Sequence, residues 1–346
     1  MLLFYANKIA CASQFKILIM KTITFIALLF PITVLSQYKL NEHFLTYNKT
    51  PDQQELKKYT YENLRLYPII AKDSFKTVFR NLTKFTPLKQ ALADKRVVIT
   101  EKANGGSVNT LVIENKSKDT IIVNCGEVIK GGQQDRVINK DMVLYPKSGK
   151  KALPVFCVEQ GRWTPRSQSI SVRNSSNSAA SFDGYYNYSS MSLRKVVVKD
   201  AEQTKVWNKV EEINDANKTS TETKTYTALE RSQDYSSKLK KYISFFEPAI
   251  TAEKDIVGVV VVTGDKVMGA DIFATHELFI QNFDGLLHSY ATEAIISGKP
   301  VTINQATVDK YINDLLSNEK RQEETLKAKG SKFENNGKKI KISSFE

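Results

Sequence analysis

Between Gly126 and Trp163 the chain reads GEVIKGGQQDRVINKDMVLYPKSGKKALPVFCVEQGRW, and residues able to do chemistry crowd there. Guanidinium forks match the paired oxygens of a phosphate or carboxylate, carboxylates and amides read hydroxyls, and an indole stacks on a planar ring. Applied to a nucleotide-like ligand, that chemistry gives Arg136 and Arg162 the oxyanion and Gln134 and Glu159 the hydroxyls or amides. Trp163 stacks, and Asn139 and Gln160 are further ligand contacts. For hydrolysis, Glu127 or Glu159 is the candidate general base. The competing assignment is structural. Arg and Glu at strand ends ordinarily pair across a sheet, and the same charges then form an internal ion-pair network.

The elements that must position these residues are short strands. Val137–Ile138, Met142–Tyr145 and Leu153–Val158 are apolar pieces bounded by Gly131-Gly132, Asn139-Lys140-Asp141 and Ser148-Gly149, the pattern of a meander. Upstream, Asn63–Ile70, Arg96–Thr100, Val108–Glu114 and Thr120–Cys125 read as strands and Pro87–Asp94 as a short helix. Connections this short cannot hold parallel crossovers, so an antiparallel meander, sandwich or partly closed barrel is expected. Ser, Asn, Gly and Tyr dominate Ser167–Ser190, which predicts a mobile loop over 164–191, with Tyr185, Tyr186 and Tyr188 either a flap over the site or a solvated insertion.

Further on the pattern turns helical. Apolar residues at three and four residue spacing predict helices over Ala201–Asn214, Tyr226–Phe246 (ended by Pro248), His276–Ser297 and Gln305–Ala328. Gly264-Asp265 turns the β-branched run Ile256–Thr263 into Lys266–Phe273, a hairpin. Lys329–Glu346 is charged and reads as a disordered tail. The expected fold is α+β. An N-terminal antiparallel sheet carries the site, and C-terminal helices plus one β-hairpin cover one of its faces, within a single domain over 61–297 preceded by an arm, 37–60.

Several segments together resemble a bacterial family. Gly126-Glu127, Gly131, Gln134-Asp135-Arg136-Val137, Asn139, Pro154-Val155 and Cys157 to Trp163 are similar to the signature of the ADP-ribosylglycohydrolase- and rhodanese-phosphatase-associated protein domain. Tyr61 to Leu64, Tyr67-Pro68, Leu88 to Leu92, Thr100-Glu101 and Ser107-Val108 precede them in the family's order. Val206-Trp207, Gly258 to Val261, Gly269 to Phe273 and Leu286 to Ala291 follow. The resemblance covers residues 58–297. It implies no established activity; the family's name records association with enzymes of ADP-ribose and NAD metabolism, hence a ligand class.

Composition narrows the partners. The formal charge is +13, and falls to +10 once Lys8, Lys16 and Lys21 leave with a leader, since residues 1–36 hold no acid. A basic balance favours phosphate-bearing ligands or anionic surfaces. The lysines, however, are interleaved with acids and lack the clustered arginine and aromatic pattern of a nucleic-acid binder, so no nucleic-acid partner is expected. Met20, Lys21, the apolar Thr22–Val34 and Val34-Leu35-Ser36 read as a secretory signal cleaved before Gln37, with Met20 the start. The run is too short and holds Pro31, so no spanning helix remains after cleavage. Export puts the protein in the periplasm or outside the cell, and raises a disulfide between Cys125 and Cys157 as one alternative to two buried thiols. The three histidines and the cysteines lack zinc spacings and Gly131-Gly132 is not a P-loop, so neither metal nor cofactor is expected. Oligomeric state is not legible.

Overall fold

The structure is a computed structural model that describes residues 40–41, 43–102, 107–164 and 180–346. The leader and residues 165–179 of the expected loop lie outside the described residues. Strands are numbered in chain order. The first are β1 (Leu45–Thr46), β2 (Thr60–Tyr61), β3 (Leu64–Ala71) and β4 (Thr86–Pro87). A run of short strands follows: β5 (Val97–Thr100), β6 (Thr110–Asn115), β7 (Ile121–Val123), β8 (Glu127–Lys130), β9 (Arg136–Ile138), β10 (Met142–Leu144), β11 (Gly149–Cys157) and β12 (Gly184–Tyr188). Two hairpins complete the set, β13 (Ile256–Thr263) with β14 (Lys266–Phe273) and β15 (Gly330–Asn335) with β16 (Lys338–Phe345).

These strands build three sheets in an α+β fold. A larger sheet runs β1-β3-β13-β14-β16-β15, with β2 also on β3; a second runs β12-β8-β9-β11-β6-β5. The third, β10-β7-β4, contains the parallel pair β4–β7. Alternation along the strands explains the layering, because successive side chains leave opposite faces. On β8 and β9, Val128 and Val137 enter the core shared with the helices, while Ile129 and Ile138 enter a second core. That second core lies between sheets, where Leu111, Ile113, Leu153 and Val155 meet Ile121, Val123 and Leu144. The motif-bearing sheet is therefore buried on both faces at its middle strands.

The hairpin and the His276–Ser297 helix form as the spacing predicts. In that helix Leu278, Phe279, Phe283, Leu286, Leu287, Tyr290, Ala291 and Ala294 are buried, and it packs on the Gln233–Thr251 helix and on β13. Pro248 does not end the Gln233–Thr251 helix, which continues one turn beyond it. The expected Gln305–Ala328 helix is two, Gln305–Leu316 and Glu319–Lys329, divided where Asn318 caps the second through Arg321 N. The expected arm holds β1, β2 and the Gln53–Lys58 helix, capped by Asp52.

Two further expectations are corrected, and of the two alternatives for the cysteines the buried thiols hold. Residues 330–345 are a hairpin rather than a disordered tail, and β16 lies between β14 and β15. Two of its lysines are neutralised inside the fold: Lys339 Nζ reaches Glu319 (2.8 Å), Gln322 (2.6 Å) and Glu323 (3.1 Å), and Lys341 Nζ reaches Asp141 (2.5 Å). Residues 184–188 are strand β12 paired with β8, so Tyr186 and Tyr188 are core rather than flap. Cys125 and Cys157 are both free and buried.

Candidate functional site

The turn between β8 and β9 sets one end of the motif. Gly131 and Gly132 have φ of 136° and 47°, and a Cβ on Gly132 would stand 2.2 Å from the Phe182 ring. Only glycine meets both demands. This turn aims the Gly131 and Gly132 carbonyls at Arg162, whose Nη1 donates to Gly132 O (2.8 Å) and Thr164 O (2.6 Å). Arg162 Nη2 donates to Gly131 O (3.2 Å) and Glu159 Oε2 (2.6 Å), and lies 3.5 Å from Asp135 Oδ1.

Arg136, on β9, is fully buried. Its Nη1 donates to Gln134 O (3.0 Å) and Oε1 (3.2 Å), its Nη2 approaches Glu101 Oε1 at 3.5 Å, and its guanidinium lies 5.9 Å from the Trp163 ring. Burial pulls this guanidinium below its ordinary value, with the neighbouring Cys157 and Glu101 opposing. Gln134 Nε2 donates to Glu159 O (2.7 Å), and Asp135 N donates to Glu159 Oε2 (3.0 Å). Asp135 Oδ2 accepts from the Thr225 (3.1 Å) and Thr227 (3.0 Å) hydroxyls, tying the sheet to the 3-10 turn Tyr226–Arg231 that leads into the Gln233–Thr251 helix. Among the described residues, then, the cluster sets two guanidiniums against three buried carboxylates.

Of the residues singled out in the sequence, Gln134, Arg136, Glu159, Arg162 and Trp163 come together here. Gln160 is exposed beside them. Asn139 stands elsewhere, lining a cleft with Cys125, Asp141 and Lys332. Glu127 belongs to a separate buried group: its Oε2 accepts from Asn124 N (2.6 Å) and its Oε1 from Tyr185 OH (3.0 Å). Around it, Asn124 Nδ2 and Tyr188 OH both donate to Asn282 Oδ1 at 3.1 Å. Burial pushes the Glu127 carboxyl up to about 7. Glu101, Thr225 and Thr227 are members of the Arg136 cluster that sequence reasoning missed. The adjacency of Glu101 to a strand end was the available signal; the threonines carried none.

A third buried group joins the Met191–Lys195 helix to the larger sheet. Arg194 donates from Nη1 to Asp271 Oδ2 (2.9 Å) and from Nη2 to Oδ1 (2.5 Å), while Tyr290 OH (2.8 Å) and Ser343 Oγ (2.5 Å) complete the carboxylate's shell. Burial opposes ionisation of Asp271, but Arg194, the Ser343 hydroxyl and Lys341 hold it below the usual carboxylate range. Gly126, at φ 93°, leaves the room: a Cβ there would stand 2.9 Å from Arg194 Cγ. Among the described residues no group of three His, Cys, Asp or Glu side chains is placed to hold a metal ion, and no helix is long and apolar enough to cross a membrane.

Stacked, mainly antiparallel sheets with charged networks buried at their junctions define this as an α+β protein whose motif is built into its framework. The chain matches the ARG and Rhodanese-Phosphatase-superfamily-associated Protein domain over residues 54–344, and it belongs to that family. The match extends past residue 297, where the resemblance read from the sequence stops, and takes in β15 and most of β16. No curated protein and no solved structure matches the chain.

Proposed function

We propose that the chain is an exported interaction protein whose Glu127–Trp163 motif is an internal ion-pair framework. The observation that carries this reading is the state of Arg162. Its two terminal nitrogens already serve three carbonyls and one carboxylate, and its side chain is 11% exposed. A phosphate would have to displace bonds that close the Gly131-Gly132 turn. Arg162→Ala withdraws a charge from the buried Glu159 and Asp135 carboxylates and is expected to cost about 3 to 5 kcal/mol in denaturant unfolding. ADP-ribose, NAD and inorganic phosphate are expected to leave the unmodified protein's Tm unchanged.

The second reading keeps the same motif as a site for an anionic, nucleotide-like ligand of the ADP-ribose and NAD class. Trp163 favours it, being 46% exposed above Arg136, as do Arg136 Nε and Glu101 Oε2, which are buried without a hydrogen-bond partner among the described residues. Saturable binding of ADP-ribose by the unmodified protein, lost in Arg162→Lys at unchanged Tm, would replace the first reading by this one.

A further inference from the structure

The segment Tyr47–Tyr59 spans the start of the family match at residue 54. It walls a cavity of 160 Å³ against β3 and the Glu253–Ile256 turn. β1 pairs only with Ile70 and Ala71 of β3, and β2 only with Leu64 and Arg65, so the middle of that strand edge is left open between them. Pro68 stands in the gap, where a residue without an N–H belongs on an edge. The rings of Tyr47, Tyr59 and Tyr67, with Leu56 and Leu66, give the cavity apolar walls.

Its charges are unevenly matched. Glu253 is bridged to Lys58 (2.5 Å) and Asp255 to Lys76 (2.9 Å), whereas Glu55 accepts from the neutral Asn48 amide. Arg65 instead meets neutral oxygens: Nε donates to Thr60 Oγ1 (2.7 Å) and Nη1 to Tyr67 OH (3.3 Å). It forms no ion pair with the described residues, and its Nη2 has no partner among them. Lys254 at the rim is exposed and makes none either. A cavity of about 150 Å³ takes one benzene ring. From this geometry we infer a binding site for a small carboxylate carrying a single six-membered ring, the ring between the tyrosines and the carboxylate on Arg65.

This site is independent of the Arg162 framework, and its test does not involve that motif. Benzoate, benzamide and benzylamine, which share a ring and differ in charge, are titrated into the full chain by two-dimensional NMR. Benzoate is expected to bind saturably, shifting the β3 and Tyr47–Tyr59 resonances, with benzamide and benzylamine weaker by about tenfold, the worth of one charge-assisted bond. Arg65→Gln keeps donors for Thr60 and Tyr67 and is expected to bind benzoate no better than benzamide. Leu56→Trp fills the cavity from the helix side and is expected to abolish binding of all three. Should Arg65→Gln fail to fold, the benzoate to benzamide ratio in the unmodified protein decides the matter. No saturable benzoate binding, equal affinity for the three probes, preference for benzylamine, or shifts confined to other surfaces each overturn the inference.

Discussion

At the residue scale, what the sequence presents as one list of polar side chains separates into groups with different physics. Arg162 and Glu159 attract each other directly, whereas Glu127 has only neutral donors in hydrogen-bond contact, Asn124 N and the Tyr185 hydroxyl. Burial is therefore the largest influence on Glu127 and lifts its carboxyl to about 7, with the two donors and the nearby Lys341 opposing and Asp141 adding. Because this folded value lies above that of an unfolded glutamate, about 4.3, the folded state holds the proton more tightly. The corresponding stabilisation is complete below the unfolded value and is lost as pH rises through about 7. Glu127→Gln imitates the protonated form, its oxygen accepting from Asn124 N and its amide donating to the Tyr185 oxygen. Chemical denaturation across pH is expected to show a flatter profile for Glu127→Gln, and near pH 8 greater stability than the unmodified protein by on the order of 3 kcal/mol. An identical slope in both proteins would assign the proton to another group.

At the scale of elements, β15 and β16 show how charge can conceal a strand. Asn336 and Gly337 take φ of 52° and 72°, as a two-residue hairpin turn requires, and Asn-Gly is the strongest short-range signal for such a turn. Lysines at 338, 339 and 341 hide that signal when the segment is read alone. Lys339 and Lys341 take their acids, Glu319, Glu323 and Asp141, from elsewhere in the chain. Removing residues 338–346 opens the larger sheet beside β14 and takes the buried Ile340, Ile342 and Phe345 out of the core. The truncated chain is expected to lose cooperative thermal unfolding by circular dichroism. A melt indistinguishable from that of the full chain would make the hairpin an ornament. Strand β12 teaches the same lesson from the other side, since tyrosines in a Ser- and Asn-rich stretch read as solvated until β8 supplies a partner.

At the scale of the whole molecule, the chain closes on itself from its ends. β3, near the start of the family domain, pairs with β13, and β16, at its finish, pairs with β14, so the central hairpin gathers strands from both extremes. Export, which we propose from the Met20 leader and the small residues before Gln37, belongs to this scale as well. Mass spectrometry of protein recovered from its native cell envelope or medium is expected to find Gln37, free or cyclised, at the N-terminus. Intact residues 1–19 on cytoplasmic protein would remove the proposal.

Most local order was legible where the signal was local, the Asn336-Gly337 hairpin being the exception. The β13–β14 hairpin, the His276–Ser297 helix and the strands from Val97 to Cys157 follow from alternation, helical spacing and turn residues a few positions apart. The sequence by itself also grouped Gln134, Arg136, Glu159, Gln160, Arg162 and Trp163 with Glu127 and Asn139; pairing of β9 with β11 brings the first six together and leaves the last two elsewhere. What only the tertiary structure decided was whether those charges face outward or one another. Carbonyls at Gly131 and Gly132, Glu101 from beyond β5, and Thr225 and Thr227 from the helical half occupy the donors and acceptors that a ligand would use. A guanidinium carries the same chemistry in either role, and its partners are fixed by long-range packing that no local pattern encodes.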